Sequence, residues 1–255
     1  MTAVRILLAL FALLAMLTGA SAQGLVFGTS DPTISIHSNF AGETITLFGN
    51  IEPSLDGTPP QGTFDVVFVI RGPVEERVVR RKSRQFGIML NADHALFSGL
   101  PSFYRVLSSR PLETILDPEV IAERNLTVQA QAALALEETT GNVALFENEL
   151  VRLMGEANLY RTDERGISFL SPTFFSTRVI LPAHVPNGIF LAQALVVQNG
   201  QVVAQGAQRF FVQKSGFERF IGEAAVNQPL LYGIATVLLA LVTTLKLNPI
   251  PDAGG

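Results

Sequence analysis

From Asn227 to Leu245 the sequence NQPLLYGIATVLLALVTTL carries no charged side chain. A helix over 229–247 rises about 28 Å at ~1.5 Å per residue, enough for a rather thin hydrocarbon core. Pro229 suits a first helical turn, where its missing N–H costs nothing, and Asn227 stands near the cap. Lys246, Pro249 and Pro251 close the segment. The alternative is a buried helix of a soluble domain, which requires apolar neighbours on every side. Three- and four-residue spacing aligns Gly233, Thr236, Ala240 and Thr244 as a candidate helix-packing face. Such residues are also ordinary members of membrane helices. Tryptophan is absent, so tyrosine and phenylalanine are left to serve at a membrane interface, and Tyr232 lies near the start of the span.

The N-terminus constrains orientation. Arg5 precedes the apolar run Ile6 to Leu17, and Ala20-Ser21-Ala22 supplies small residues at the positions a signal peptidase reads. Residues 1–22 are therefore expected to be a signal peptide cleaved before Gln23; an uncleaved anchor is the alternative. A cleaved leader and a stop-transfer helix together predict a single-pass protein of the bacterial inner membrane. The bulk of the chain then lies in the periplasm, with 248–255 as a cytoplasmic tail. Lys246 supports this orientation only as a single positive charge. A glycolipid-anchor signal ends in its apolar tail, whereas this chain continues with NPIPDAGG.

Composition removes several function classes. There is no cysteine, which excludes disulfides, thiolate nucleophiles and cysteine-ligated metals. The formal net charge of -4 argues against nucleic acid as a partner. No cofactor is expected. His37, His94 and His184 stand in no metal-ligand spacing, so no metal site is expected.

Between the ends the pattern is β, then helix, then β. TISIHS, ETITLFGNI and FDVVFVIRG alternate or run apolar between glycine and proline turns. Asp117-Pro118 reads as a helix start. LTVQAQAALALEE is rich in helix formers, and Phe146, Leu150, Leu153, Met154 and Ala157 make a helical stripe. Strands resume at Ile167, and Asn199-Gly200 between alternating runs is the strongest hairpin signal. These features predict a mainly β fold over 23–214: an immunoglobulin-like antiparallel sandwich with a helical insertion near 111–162. Two independent domains are the alternative. Residues 215–228 form a juxtamembrane segment with an amphipathic pattern.

Arg77, Arg80, Arg81, Lys82 and Arg84 hold five of the eighteen Lys and Arg residues. They form a possible interaction patch for anionic lipid heads or an acidic partner. The plainer reading is a charged edge strand that prevents sheet-to-sheet aggregation. Asp93 and His94 with Ser98 or Ser102 allow a hydrolase triad to be drawn, but neither a GxSxG elbow nor an SxxK motif accompanies them. The stretch GLPSFYRVLSSRP, Gly99 to Pro111, reads as a strand bracketed by prolines, with polar residues that orient the insertion.

RRKSRQFGIMLNAD (Arg80–Asp93), PSFYRVLSSRPLETIL (Pro101–Leu116), FFSTRVILPAHVPNGIF (Phe174–Phe190) and the Pro229–Gly233 start of the apolar stretch together resemble an uncharacterised family of alphaproteobacterial transmembrane proteins. Met89 stands where that family has tryptophan. The resemblance implies a single pass and a periplasmic β domain, with no activity or catalytic residue to transfer. It also implies an accessory role beside a sulfite-exporter-type permease. The expected function is thus a membrane-held protein-interaction module, not an enzyme, with the bilayer and a transporter-type membrane protein as partners. The alternative is a membrane-tethered periplasmic hydrolase using Asp93, His94 and a nearby serine. A sensor is disfavoured because the tail leaves no room for an output domain.

Overall fold

Alternation along the strands decides how the sheets face one another. In β3 (Glu43–Glu52) Ile45, Leu47 and Ile51 are buried while Thr44, Phe48 and Glu52 are exposed, the signature of a strand with one covered face. A computed structural model describes residues 24–37, 42–53, 57–85, 87–215, 222 and 224–247. The leader, the tail and part of the juxtamembrane segment lie outside the described residues.

Two sheets meet face to face. One has the order β1 (Gly24–Thr29), β3, β11 (Phe174–Leu181), β10 (Ile167–Phe169). The other runs β2 (Thr33–His37), β13 (Gln201–Ser215), β12 (Gly188–Gln198), β4 (Asp65–Arg71), β7 (Tyr104–Ser108), β9 (Tyr160–Glu164). Phe68 of β4 joins them, its ring centroid 5.6 Å from Phe27 of β1 and 5.7 Å from Phe175 of β11. The β12–β13 turn forms at Asn199-Gly200, both with positive φ. A side chain at Gly200 would also meet the Asp117 carboxylate. A third sheet, β5 (Val74–Gln85), β6 (Ile88–Pro101), β8 (Leu136–Thr139), extends from the end of the β4–β7 pair.

The chain is mainly β, as the patterning implies, but the sheets are mixed. β2 pairs parallel to β13, and β9 pairs parallel to β7. The expectation of an antiparallel sandwich is corrected here, because the helical crossover between β7 and β9 returns the chain in the direction it left. That crossover holds α1 (Leu112–Ile115), α2 (Pro118–Glu123), α3 (Val128–Ala135), β8 and α4 (Val143–Glu156). Pro118 occupies the first turn of α2, as its sequence indicates. Thr127 and Asn142 cap α3 and α4 by accepting from the backbone N–H groups of Ala130 (3.1 Å) and Leu145 (3.0 Å). Along α4, Phe146, Leu150 and Met154 are buried, whereas Leu153 is exposed and Ala157 follows as the C-cap.

The insertion covers the outer face of β4 and β7 in the six-stranded sheet. Phe68 points at the other sheet, so Val67, Val69 and Arg71 point away, together with Tyr104, which pairs with Arg71. The Tyr104 hydroxyl donates to the Asn125 carbonyl at 3.1 Å, within the insertion. Burial pushes this phenol up to about 12 against the opposing influence of Arg71. With one face on the first sheet and the other beneath helices, β4 and β7 are buried throughout, apart from Arg71 at the end of β4.

At the end of the β4–β7 pair away from the third sheet, Asp65 accepts from Ser109 Oγ (2.8 Å) and Arg110 Nε (2.9 Å), and pairs with Arg110 Nη2. Burial pushes the Asp65 carboxyl up, but the hydrogen bonds from Arg110 and Ser109 and the Arg110 charge outweigh it, leaving the group below its ordinary value. A depressed native pKa contributes stability that is present in full above about pH 4 and is lost as pH falls through the native value. Urea midpoints taken down from about pH 6 are therefore expected to fall less steeply in Asp65→Asn than in wild type; parallel curves would refute this linkage.

The last helix, α5 (Pro229–Leu247), has 19 residues. The side chains of Val242, Leu245, Lys246 and Leu247 are outside the described residues. Among the described residues no helix is long and apolar enough to cross a membrane. Leu230, Leu231, Ile234, Val237, Leu238 and Leu241 are all exposed.

Candidate interaction surface

The basic run lies on a long hairpin arm that continues the β4–β7 pair. The ladder passes from Arg71↔Tyr104 to Val74↔Pro101 without a break. Between them Gly72 N–H donates to Phe103 O and Ser102 N–H to Pro73 O, both at 2.8 Å. Gly72 is required at this junction: a Cβ there would lie 2.7 Å from Ser102 Oγ and 3.0 Å from Phe103 Cβ. The Tyr160 hydroxyl donates to Pro101 O at 2.6 Å, and its ring lies 5.8 Å from that of Tyr104. Two buried phenols thus pin the base of the arm.

Its stem is braced by the insertion. β8 pairs with β6 at Ala95↔Thr139 and Leu96↔Glu138. Ala95 and Phe97 are fully buried, and Val79 packs against the core. Leu136–Thr139 is drawn into a strand although its sequence favours helix, because the edge of β6 offers unpaired backbone groups. Between the stem and α4 lies a cleft of about 530 Å³ lined by Val79, Arg80, Lys82, Leu145, Glu149 and Arg152.

Beyond the cleft the arm is exposed on both faces. Arg81, Lys82, Arg84, Ile88, Leu90 and Asn91 are exposed, and Met89 is 60 % exposed. The register places Lys82 and Arg84 on one face with Asn91 and Met89, and leaves Ile88 and Leu90 on the other. Four basic residues and no acidic one lie between Arg80 and Asn91, in a chain whose net charge is -4. Arg77 is paired with Glu75, and Arg81 lies 3.9 Å from Asp93. Among the described residues Arg80, Lys82 and Arg84 make no salt bridge. β5 is an edge strand of its sheet, as the plainer reading of the basic run expects. The exposed apolar residues of β6 escaped sequence reasoning, though the run IML beside RRK signals them.

The residues of the drawn triad are dispersed among structural contacts. Asp93 faces Arg81, while His94 Nδ1 lies 3.4 Å from Thr140 Oγ1 and its backbone N–H donates to the same oxygen. Neighbours in a strand, Asp93 and His94 project to opposite faces. Ser98 is exposed, and the buried Ser102 hydroxyl has no hydrogen-bond partner. No hydrogen bond joins these four side chains among the described residues. His184 donates from Nε2 to Ala157 O at 2.7 Å. Among the described residues no three His, Asp or Glu side chains converge as metal ligands.

On α5, Gly233, Thr236, Ala240 and Thr244 share a side, and the threonine hydroxyls donate back to the Gly233 and Ala240 carbonyls at 2.8 and 2.7 Å. A Cβ on Gly233 would meet nothing within 4 Å. A second cleft, about 870 Å³, lies in the insertion between Leu112, Ile121, Leu126 and Val128, with Thr162 and Glu164 of β9 at its side.

No curated protein and no solved structure matches the chain. A family model does, over residues 24–248, which takes in both the arm and α5. By that match the chain belongs to the alphaproteobacterial family described as "Putative transmembrane protein (Alph_Pro_TM)".

Proposed function

We propose that the chain is a single-pass inner-membrane protein that holds an immunoglobulin-like sandwich in the periplasm as a protein-interaction module, not an enzyme. The observation that carries this reading is α5. Its large apolar side chains are exposed on more than one side of the helix, Leu239 lying away from Leu230 and Leu241, and no described part of the fold covers them. An aqueous setting penalises such a surface, whereas a bilayer accepts it. The charge-free sequence from Asn227 to Leu245 supports a span over 229–247, as does membership of a family described as transmembrane.

The strand orders support the immunoglobulin-like reading. β1-β3-β11-β10 corresponds to strands A, B, E and D, and β13-β12-β4-β7 to G, F, C and C′. The hairpin arm and the helical insertion then extend the two connections that flank C′. The partner contact assigned to this module is the α4 side of the cleft, where the exposed Leu145 lies beside Glu149 and Arg152. A mixed-charge rim around an apolar centre is the composition of a protein interface. A transporter-type membrane protein is the proposed partner.

A photocrosslinking residue at Leu145 of the full-length chain, activated in native membranes, tests this. An adduct with a polytopic membrane protein is expected. Recovery of the chain only as an isolated species, with several crosslinker chemistries, would overturn the reading.

A further inference from the structure

We infer that the free end of the β5–β6 arm is a membrane-surface contact that dips Ile88, Met89 and Leu90 into the interfacial layer of an anionic bilayer. The inference rests on the reading of α5 as the membrane tether, and deepens it by naming what the basic patch meets.

The position of the arm comes from the registers. β13 runs from the Asn199-Gly200 turn toward Ser215, beyond which the chain continues to α5. β12 is antiparallel to β13 and β4 is antiparallel to β12, so β4 runs the same way as β13. Arg71, the last residue of β4, pairs with Leu191, which pairs in turn with Arg209, past the middle of β13 on the way to Ser215. The arm therefore leaves the sandwich at the end from which the chain departs for α5. Beyond its last braced residues it continues for about five residue pairs, roughly 16 Å at ~3.3 Å per residue.

The chemistry of the tip selects the occupant. A charged edge strand that merely blocks sheet extension explains Arg80, Lys82 and Arg84, but not the exposed Ile88, Met89 and Leu90 on the strand beside it. Ile88 is 63 % exposed and Leu90 46 % exposed on one face, and Met89 projects from the other. A flat protein partner covers one face of a two-stranded ribbon. Lipid surrounds both. Unpaired basic groups directly behind an apolar tip reproduce the arrangement by which interfacial segments bind: apolar side chains enter at the acyl boundary while cations remain among phosphate groups.

The test uses the full-length chain in vesicles. Because the sequence has no cysteine, Met89→Cys and Leu238→Cys each give a unique labelling site. Each variant carries an environment-sensitive fluorophore on its introduced thiol. The vesicles are of phosphatidylethanolamine and phosphatidylglycerol, or of phosphatidylcholine alone, with nitroxide-labelled lipids as quenchers. Quenching of the arm-tip fluorophore, on Met89→Cys, by shallow nitroxides is expected in the anionic vesicles. Combining Met89→Cys with Arg80→Glu, Lys82→Glu and Arg84→Glu is expected to shift the contact equilibrium at least about tenfold toward the free arm. An unquenched arm-tip fluorophore, beside a helix fluorophore on Leu238→Cys that deep nitroxides quench, would overturn the tip contact and leave the tether standing. The opposite pattern, with the arm tip quenched and the helix unquenched, would support the tip contact while removing the spanning reading. Equal quenching at the arm tip with and without the charge reversals would overturn the anionic recognition. So would a photocrosslinker attached to Met89→Cys that captures protein rather than lipid in native membranes.

Discussion

Phe68→Ala is expected to destabilise the β domain by about 3–5 kcal/mol, seen as a lower urea midpoint with little change in slope. The ring is fully buried at the centre of β4 and touches Phe27 and Phe175 of the opposite sheet. Both neighbours belong to β-strands held by their own ladders, β1–β3 and β3–β11, so neither can move far to fill the space. The cavity persists, and its cost adds to the lost burial. Phe68→Leu, which leaves a smaller void, is expected to cost much less. Circular dichroism suits both measurements, since the chain has no tryptophan. A loss below about 1 kcal/mol in Phe68→Ala would mean that the two sheets are not packed through this ring.

Asp163→Ala is expected to cost about 3 kcal/mol, whereas Arg105→Met combined with Asp163→Leu stays within about 1 kcal/mol of wild type. Arg105 is buried in β7, and its guanidinium reaches Ile180 O at 3.3 Å and the Asp163 carboxylate at 3.6 Å. Its Nε has no hydrogen-bond partner. Burial lowers the pKa of this guanidinium, with Asp163 opposing the change. Removing Asp163 strands a buried cation, while removing both partners removes the desolvation penalty with the attraction. The same unfolding experiment reads both variants. A double variant as unstable as the single one would show that the pair itself, rather than its desolvation, dominates.

Much of the sandwich was legible because its strands obey local rules. Asn199-Gly200 turns where a positive φ is needed, and β3 alternates as written. The spacing of the α4 stripe matches the burial of Phe146, Leu150 and Met154. Leu153 is exposed, since a helix resting on one surface buries a narrower arc than hydrophobicity alone suggests. Residues 136–139 could not be read as a strand, because only the edge of β6, forty residues away, makes them one. GLPSFYRVLSSRP proves to be a strand and its flanks: Ser109 and Arg110 hold Asp65, and Arg105 is buried beside Asp163. For the candidate surface, the basic residues were visible in the sequence. Their setting on an unsupported ribbon was not, because it depends on where the insertion stops bracing the arm.

The pairing of β2 with β13 carries a consequence for biogenesis. Thr33 meets Phe211, so one edge of the six-stranded sheet joins segments separated by nearly the whole β domain. A chain emerging N-terminus first holds β2 unpaired until its final strand arrives, and such distant closures are the slow ones. Closure therefore comes late in synthesis, with α5 next to emerge. Until then the exposed backbone of β2 is a natural client for a holding chaperone.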